Sequence, residues 1–232
     1  MSERVGVMIP TYQRPDLVRA CVLQWLTQSR RPDVVCVHQN GHAESYEWCV
    51  ADLRALGPVE WIHTPARIAQ HQWYLIPLQR LLREGCTHFF WADHDDLYRH
   101  DHVERCLIDL EKSDFTVAER CGLLHVTHDD YRFQADVRFE AHAPGGMSSS
   151  MAFNRAFAEA LADDLAEDRA HYFSDNVVAK VTLPRFVGHA SSRRTTVYVS
   201  HRGSQTSAGW LRSAFGGGSD APDGPADPPD GA

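Results

Sequence analysis

Lysine is almost missing from this chain: of 23 basic residues only Lys112 and Lys180 are lysines. That bias fits a GC-rich genome and assigns no function. No run approaches the ~20 apolar residues that a membrane span needs. Met1-Ser2-Glu3-Arg4 leads straight into strand-like residues, without the pattern of a signal peptide, so a cytoplasmic chain is expected. None of the six cysteines (21, 36, 49, 86, 106 and 121) stands in a C-x-x-C pair. Their spacing offers no zinc site, and buried, reduced thiols are expected. No G-x-G-x-x-G follows the first apolar run and no G-x-x-x-x-G-K-[ST] occurs, which disfavours dinucleotide oxidoreductases and P-loop NTPases. Any phosphate bound here needs another counter-charge. Positive charge is not in excess either. The net charge is −8; without the four acids of the last segment (Asp220, Asp223, Asp227 and Asp230), 27 acidic residues face 23 basic ones. So nearly balanced a body argues against nonspecific nucleic-acid binding. There is no internal repeat.

What is present is globular: 43% hydrophobic and 23% charged residues over 232 positions. The first half alternates two kinds of segment. Val5 to Ile9 is a short apolar run, as a buried parallel strand would be. Arg14-Pro15-Asp16 opens a helix whose Leu17, Val18, Cys21, Val22, Trp25 and Leu26 share one face. Val34 to His38 predicts a second strand, left through Asn40-Gly41. A helix from about Glu44 to Leu56, a strand over 59–63, and a helix from about Ala69 to Arg83 follow. His88 to Ala92 then reads as a fourth strand that delivers Asp93-His94-Asp95-Asp96. Val103, Cys106, Leu107 and Leu110 keep helical spacing. This β-α alternation predicts an open, mostly parallel sheet with helices on both faces. Ligands of such sheets bind beyond the carboxyl ends of the strands. Two polar clusters are placed there, Pro10 to Arg14 and the aspartates.

The second half is less regular. Cys121 to Thr127 and Thr195 to Ser200 read as strands, Arg155 to about Leu165 and Asp175 to Val181 as helices. Gly145 to Ser150 reads as a small-residue loop. From Gly216 the composition collapses to Gly, Pro, Asp, Ala and Ser. Such a tail buries too little apolar area to offset its ordering entropy, so disorder is expected over 216–232.

Asp93-His94-Asp95-Asp96 is the sharpest chemical feature. Three carboxylates within four residues repel one another unless a cation or hydrogen-bond donors neutralise them. Mg²⁺ and Mn²⁺ take carboxylate oxygens and share their remaining positions with substrate phosphates. A solvated turn that caps a helix would use the same residues. The preceding Phe89-Phe90-Trp91 shifts the balance, because it anchors the acids on a buried strand.

With these residues in view, a resemblance can be stated. Val5 to Asp16, with Pro10-Thr11-Tyr12-Gln13-Arg14 at its centre, resembles the opening of glycosyltransferase family 2, where Asn is common at the position of Gln13. Phe89 to Asp96 is similar to that family's strand and D-x-D motif, at a typical interval. The likeness is firm over about residues 4–111 and looser to about 215. It implies a GT-A-like domain over 1–215. About 1–111 would form the nucleotide-sugar half and 112–215 the acceptor half, with the tail over 216–232 outside. It implies that Pro10, Thr11, Tyr12 and Arg14 line the nucleotide, that Asp93 lies toward ribose and metal, and that Asp95 binds the metal. The extra Asp96 leaves the pairing of acids open. Where the family often has Asp-Asn-Gly-Ser after strand two, this chain has Gln39-Asn40-Gly41-His42. An amide still offers both a donor and an acceptor to a pyrimidine edge. Ser174-Asp175-Asn176 resembles the segment that supplies the catalytic base, which makes Asp175 the base here, with Asp168 and His171 next in line. His201 resembles a late histidine that completes metal coordination in some relatives, and Gly145 to Ser150 stands where relatives floor the donor-sugar site.

The resemblance thus implies an inverting, Mn²⁺- or Mg²⁺-dependent glycosyltransferase. Its donor would be a nucleoside-diphosphate sugar, a UDP-sugar first among them. Its acceptor would be a saccharide, a lipid-linked molecule or a small molecule. A nucleotidyltransferase on a related fold and a non-catalytic nucleotide-sugar-binding module are the rivals. His100-Asp101-His102 and His125-x-x-His128-Asp129-Asp130 lack further metal ligands at suitable positions and are expected to face solvent.

Overall fold

The computed structural model describes residues 3–69, 72–126, 131–138, 148–167, 177–192 and 194–200. The chain opens with β1 (Val5–Thr11), α1 (Pro15–Leu26), β2 (Val34–Asn40), a 3₁₀ segment (Glu47–Ala55), β3 (Val59–Thr64), α2 (Leu75–Arg83) and β4 (His88–Trp91). After these come β5 (Leu97–Tyr98), α3 (His102–Leu110), β6 (Phe115–Ala118), β7 (Arg120–Val126) and β8 (Tyr131–Arg138). Then β9 (Ala152–Asn154), α4 (Arg155–Ala166), a π turn (Val178–Thr182), β10 (Gly188–Ser191) and β11 (Thr196–Ser200) complete the described elements.

Seven strands form one sheet in the order β10-β6-β9-β4-β1-β2-β3. All its pairings are parallel except those of β9, which runs against β4 and β6. The expected α/β class and mostly parallel sheet are therefore present. All seven residues of β1 and all seven of β2 are buried. The reason is that both strands are paired on two sides and covered on two faces. Val5, Val7 and Ile9 pack with α1 and α3 on one face; Met8 packs with α2 and α4 on the other. At Gly6 a Cβ would lie 2.9 Å from Cys86 Sγ and from both methyls of Leu81, so only glycine lets β1 approach α2 this closely.

Two elements differ from their sequence pattern. Residues 47–55 are 3₁₀ rather than α-helical. Here the Cys49 carbonyl, which an α-helix would give to the Leu53 amide, accepts from Arg19 of α1 (2.7 Å), and Asp52 pairs with the same guanidinium. The helix expected from about Ala69 begins at Leu75. Side chains of β2 claim the backbone before it: Ile68 donates to Asn40 Oδ1 (3.0 Å), and the Trp73 carbonyl accepts from His38 Nδ1 (3.0 Å).

A second, four-stranded sheet in the order β5-β11-β7-β8 was not legible in the alternation. Its strand β5 directly follows the aspartate cluster. His102 and His125 also depart from expectation, since both are buried. His102 sits against Trp25, Phe90 and Tyr98 and shares a 2.7 Å hydrogen bond with Thr195 Oγ1. It closes the seam between α1, α3 and the approach to β11, which is a packing role.

Candidate active site

β1 is flanked by β4 on one side and by β2 on the other, so chain order reverses beside it. A cleft opens at such a switch point, outside the carboxyl ends of the strands. Both sequence motifs arrive there. Pro10 to Arg14 leaves β1, Asp93 to Asp96 leaves β4, and His94 Nδ1 donates to the Pro10 carbonyl (3.1 Å), tying the two together. Gln13 takes a φ of +52°, the left-handed conformation that asparagine tolerates best among residues with side chains. This is a physical reason for an amide residue at that position. Thr11 is buried and shares a hydrogen bond with Tyr46 Oη (3.0 Å). Tyr12 is half-buried, with the Arg67 guanidinium 5.4 Å from its ring centre. Arg14 precedes α1, where its carbonyl accepts from the Val18 amide (3.0 Å).

The carboxyl end of β2 is braced from within. Gln39 is buried; its Nε2 donates to the Glu44 carbonyl (2.7 Å) and its Oε1 accepts from the Tyr46 amide (3.0 Å). One donor and one acceptor of this amide therefore hold the 44–46 loop. Asn40 is buried as well, and its Nδ2 has no hydrogen-bond partner among the described residues, an expense that folded proteins seldom leave without use. Gly41 has a φ of +75°, and a Cβ there would lie 3.0 Å from Cβ of Arg67. The left-handed turn thus brings β2's exit against the Arg67 backbone. His38 is kept neutral by burial, which lowers its pKa, and it links β2 to Thr64 and Trp73.

The three acids have different surroundings. Asp93 is half-buried; Tyr74 donates to its Oδ1, its amide donates to Tyr98 Oη (3.0 Å), and Tyr98 donates back to its carbonyl (3.3 Å). Asp95 is also half-buried. Asp96 is turned inward. It accepts from Ser149 Oγ (2.5 Å) and from the Val199 amide (2.9 Å). Burial raises its pKa well above the usual carboxylate range, and the nearby Asp93 and Asp95 add to the rise. Asp96 ties the aspartate loop to β11 and to the 148–150 turn, and Asp93 and Asp95 remain at the cleft.

Two carboxylates of this kind fit a hard divalent ion, which Mg²⁺ and Mn²⁺ sites complete with water and substrate phosphate. Among the described residues no group of three or more His, Cys, Asp and Glu side chains is arranged to hold a metal ion. Asp175 and His201 lie outside the described residues, as do Asp168, His171, Gly145 to Met147 and the 216–232 tail.

Pro10, Thr11, Tyr12, Gln39, Asn40, Asp93 and Asp95 thus lie together at the carboxyl ends of β1, β2 and β4. Three contributors were missed by sequence reasoning: Tyr46, Tyr74 and Arg67. Arg67 had a usable signal, since it follows β3 by three residues and every strand exit on this edge faces the cleft.

No protein-family model matches the chain, and no curated protein matches it. Solved structures do. A structure of Staphylococcus aureus TarS residues 1–349, a GT-A glycosyltransferase, matches with a TM-score of 0.64 at 12% identity, covering 86% of this chain and 60% of TarS 1–349. The same protein in complex with UDP-GlcNAc matches with a TM-score of 0.65 at 11% identity, covering 91% and 64%. Its complex with UDP gives 0.65, 11%, 84% and 60%. The chain therefore spans about three fifths of the TarS structures it matches. With its switch-point cleft between β1 and β4 and its single reversed strand β9, the chain has the GT-A fold.

Proposed function

We propose that this chain is a metal-dependent, inverting glycosyltransferase that moves a sugar from a nucleoside-diphosphate sugar, a UDP-sugar first among them, to an acceptor hydroxyl. The observation that carries the reading is the His94–Pro10 bond, which locks the aspartate loop against the exit of β1 at the switch point of a GT-A fold. The matched TarS structures that hold UDP and UDP-GlcNAc support it.

In this reading the nucleoside lies toward the β1–β3 side of the cleft. Tyr12 offers a ring face, Arg67 a positive charge, and Asn40 the amide hydrogens that the fold itself leaves unused. The diphosphate lies toward β4. Asp93, Asp95 and His201 would hold Mn²⁺ or Mg²⁺, which supplies charge neutralisation for the departing diphosphate when bound. Tyr74 and Tyr98 fix the carboxylate and backbone of Asp93, so little freedom remains to be lost on binding. Asp175 takes the proton of the acceptor hydroxyl as that oxygen attacks the anomeric carbon from the face opposite the nucleotide. The acceptor is a saccharide, a lipid-linked molecule or a small molecule.

The test is incubation with a panel of nucleotide sugars and Mn²⁺, following release of free nucleoside diphosphate. One donor should be hydrolysed slowly without acceptor. Its affinity should fall on adding chelator, and Asp95→Ala should reproduce that fall while moving the Tm by no more than a few degrees. Equal nucleotide affinity with and without divalent ion would remove the metal role. Absence of binding across the whole panel would remove the donor assignment.

A further inference from the structure

Two tyrosines grip Asp93, and they hold different parts of it. Tyr98 Oη accepts from the Asp93 amide and donates to the Asp93 carbonyl, so it shapes the backbone of the loop. Tyr74 reaches the carboxylate, where its hydroxyl donates to Oδ1. It stands directly before α2 and is 4% exposed. Its ring lies on that of Trp91, with 3.6 Å between ring centres and 27° between planes. The chain on either side is held as well. The Trp73 carbonyl accepts from His38 Nδ1 (3.0 Å), the Trp73 indole donates to the Ile68 carbonyl (3.3 Å), and the Tyr74 carbonyl accepts from the Leu78 amide (3.0 Å). Ring and backbone are thus both fixed, and the phenol is aimed before any ligand arrives. A buried phenol needs one acceptor, and the Ala92 carbonyl, 3.3 Å from the same oxygen, would serve. The hold on the carboxylate is therefore more than packing requires.

A carboxylate held in this way does not offer its two oxygens equally. A hydrogen bond from a phenol to an anionic oxygen is charge-assisted and strong, and it competes for the lone pairs that an ion would take. Ions differ in what they ask of a carboxylate. Ca²⁺ gathers up to about eight oxygens and often takes both from one acid, whereas Mg²⁺ holds to an octahedron, as Mn²⁺ does, and one oxygen from each acid suffices. We propose, on the reading of Asp93 and Asp95 as ion ligands, that Tyr74 is a positioning residue that sets which ion is taken. By engaging Oδ1 it limits Asp93 to ligation through one oxygen and gives Mn²⁺ and Mg²⁺ the advantage over Ca²⁺. Without the hydroxyl the carboxylate is released to turn and to chelate with both oxygens. That favours the larger ion and costs the smaller one the orientation on which it depends.

The test compares the full wild-type chain with Tyr74→Phe, which keeps the ring on Trp91 and removes only the hydroxyl. UDP affinity is measured by titration calorimetry in Mn²⁺, in Ca²⁺ and in chelator. The wild type should bind UDP more tightly with Mn²⁺ than with Ca²⁺. In Tyr74→Phe the affinity supported by Mn²⁺ should fall ~10–100-fold, the usual cost of losing the partner of a metal ligand. The affinity supported by Ca²⁺ should fall far less or rise, so that the preference for Mn²⁺ narrows by about tenfold or more. The electron paramagnetic resonance signal of free Mn²⁺, followed as Ca²⁺ competes, gives the same ratio without any nucleotide. Equal losses with the two ions would reduce Tyr74 to a structural role and overturn the proposal. So would a wild type that binds UDP equally well with either ion and weakly in chelator, a result that needs no variant to fold and leaves the ion reading standing. The same wild-type affinity in Mn²⁺, Ca²⁺ and chelator would remove Asp93 and Asp95 as ion ligands, and the proposal with them.

Discussion

The strands from β1 to β4 and those from β5 onward are built on different terms. In the first group β1 and β2 are seven residues long and buried from end to end, and each strand is joined to the next through a covering segment that lies on the sheet. In the second, strands run from two to eight residues, and β5, β7 and β8 each expose apolar residues. The first group gains its stability from burial on two faces. The second is joined to it by β9, which pairs with β4, and its four-stranded sheet is further tied in by single bonds: Asp96 to the Val199 amide and to Ser149, and His102 to Thr195. Strands buried on two faces beside strands tied in by single bonds are an arrangement in which the second group can change without disturbing the first.

The sharpest way to break this division is Asp175→Asn. It keeps the shape of the side chain and removes its basicity. If the halves divide the labour as proposed, donor binding stays at the wild-type value and transfer falls by ~10²–10⁴-fold, the usual worth of a positioned base. Turnover at the wild-type rate in a coupled nucleoside-diphosphate assay would send the search to Asp168 and His171.

Asp96→Ala cuts the tether. The Val199 amide loses its acceptor and Ser149 its partner. A buried donor left without a partner costs about 1–3 kcal/mol, or a Tm lower by about 4–10 °C for a domain of this size. Asp96→Asn, which retains an acceptor for the amide, should recover most of that loss. Thermal melts of the two variants side by side are the check.

The difference between the halves also explains what could be read from the sequence. The first group has a period: apolar runs such as Val5-Gly6-Val7-Met8-Ile9 alternate with helical spacing, and turn residues stand between them. Its sheet and cleft were therefore legible. Where it misled, as at Ala69, the cause was a long-range competitor: Asn40 and His38 take up the backbone ahead of α2, which no local pattern records. The pair β5 and β11 is two residues against five, joined across about a hundred positions, too short and too distant to show a pattern. The role of Asp96 was hidden for the same reason. Three adjacent aspartates look alike until β11 arrives to bury one of them. His102 looked like a solvent residue because its polar neighbours His100 and Asp101 suggested exposure, whereas α3 turns it toward Trp25.

An effect of similar size, confined to acid pH, follows from that histidine. Burial lowers the His102 pKa to about 4 from the ordinary 6.5. The unfolded chain therefore binds a proton between those values that the folded chain refuses. Stability rises with pH across this window and is lost as pH falls from about 6.5 toward 4, by on the order of 2–3 kcal/mol at the acid end. Denaturant melts of His102→Gln against pH should show a shallower slope in this window than those of the wild type. An unchanged slope would mean that other groups set it.

The smallest expected effect is none. A chain ending at Phe215 should match the full chain in Tm and activity, because residues 216–232 have no large apolar group to bury.

The order of the main sheet also bears on how the chain is made. The strands β1, β2 and β3 are neighbours in the order in which they emerge, so each finds its partner at once. The other edge of β1 waits for His88–Trp91, more than seventy-five residues later. Until then this buried strand presents an open row of amides and carbonyls, the usual template for pairing between molecules. Nascent chains that stop short of Trp91 are for this reason expected to be prone to aggregate, and the insertion of β4 beside β1 is one of the non-local steps that slow folding.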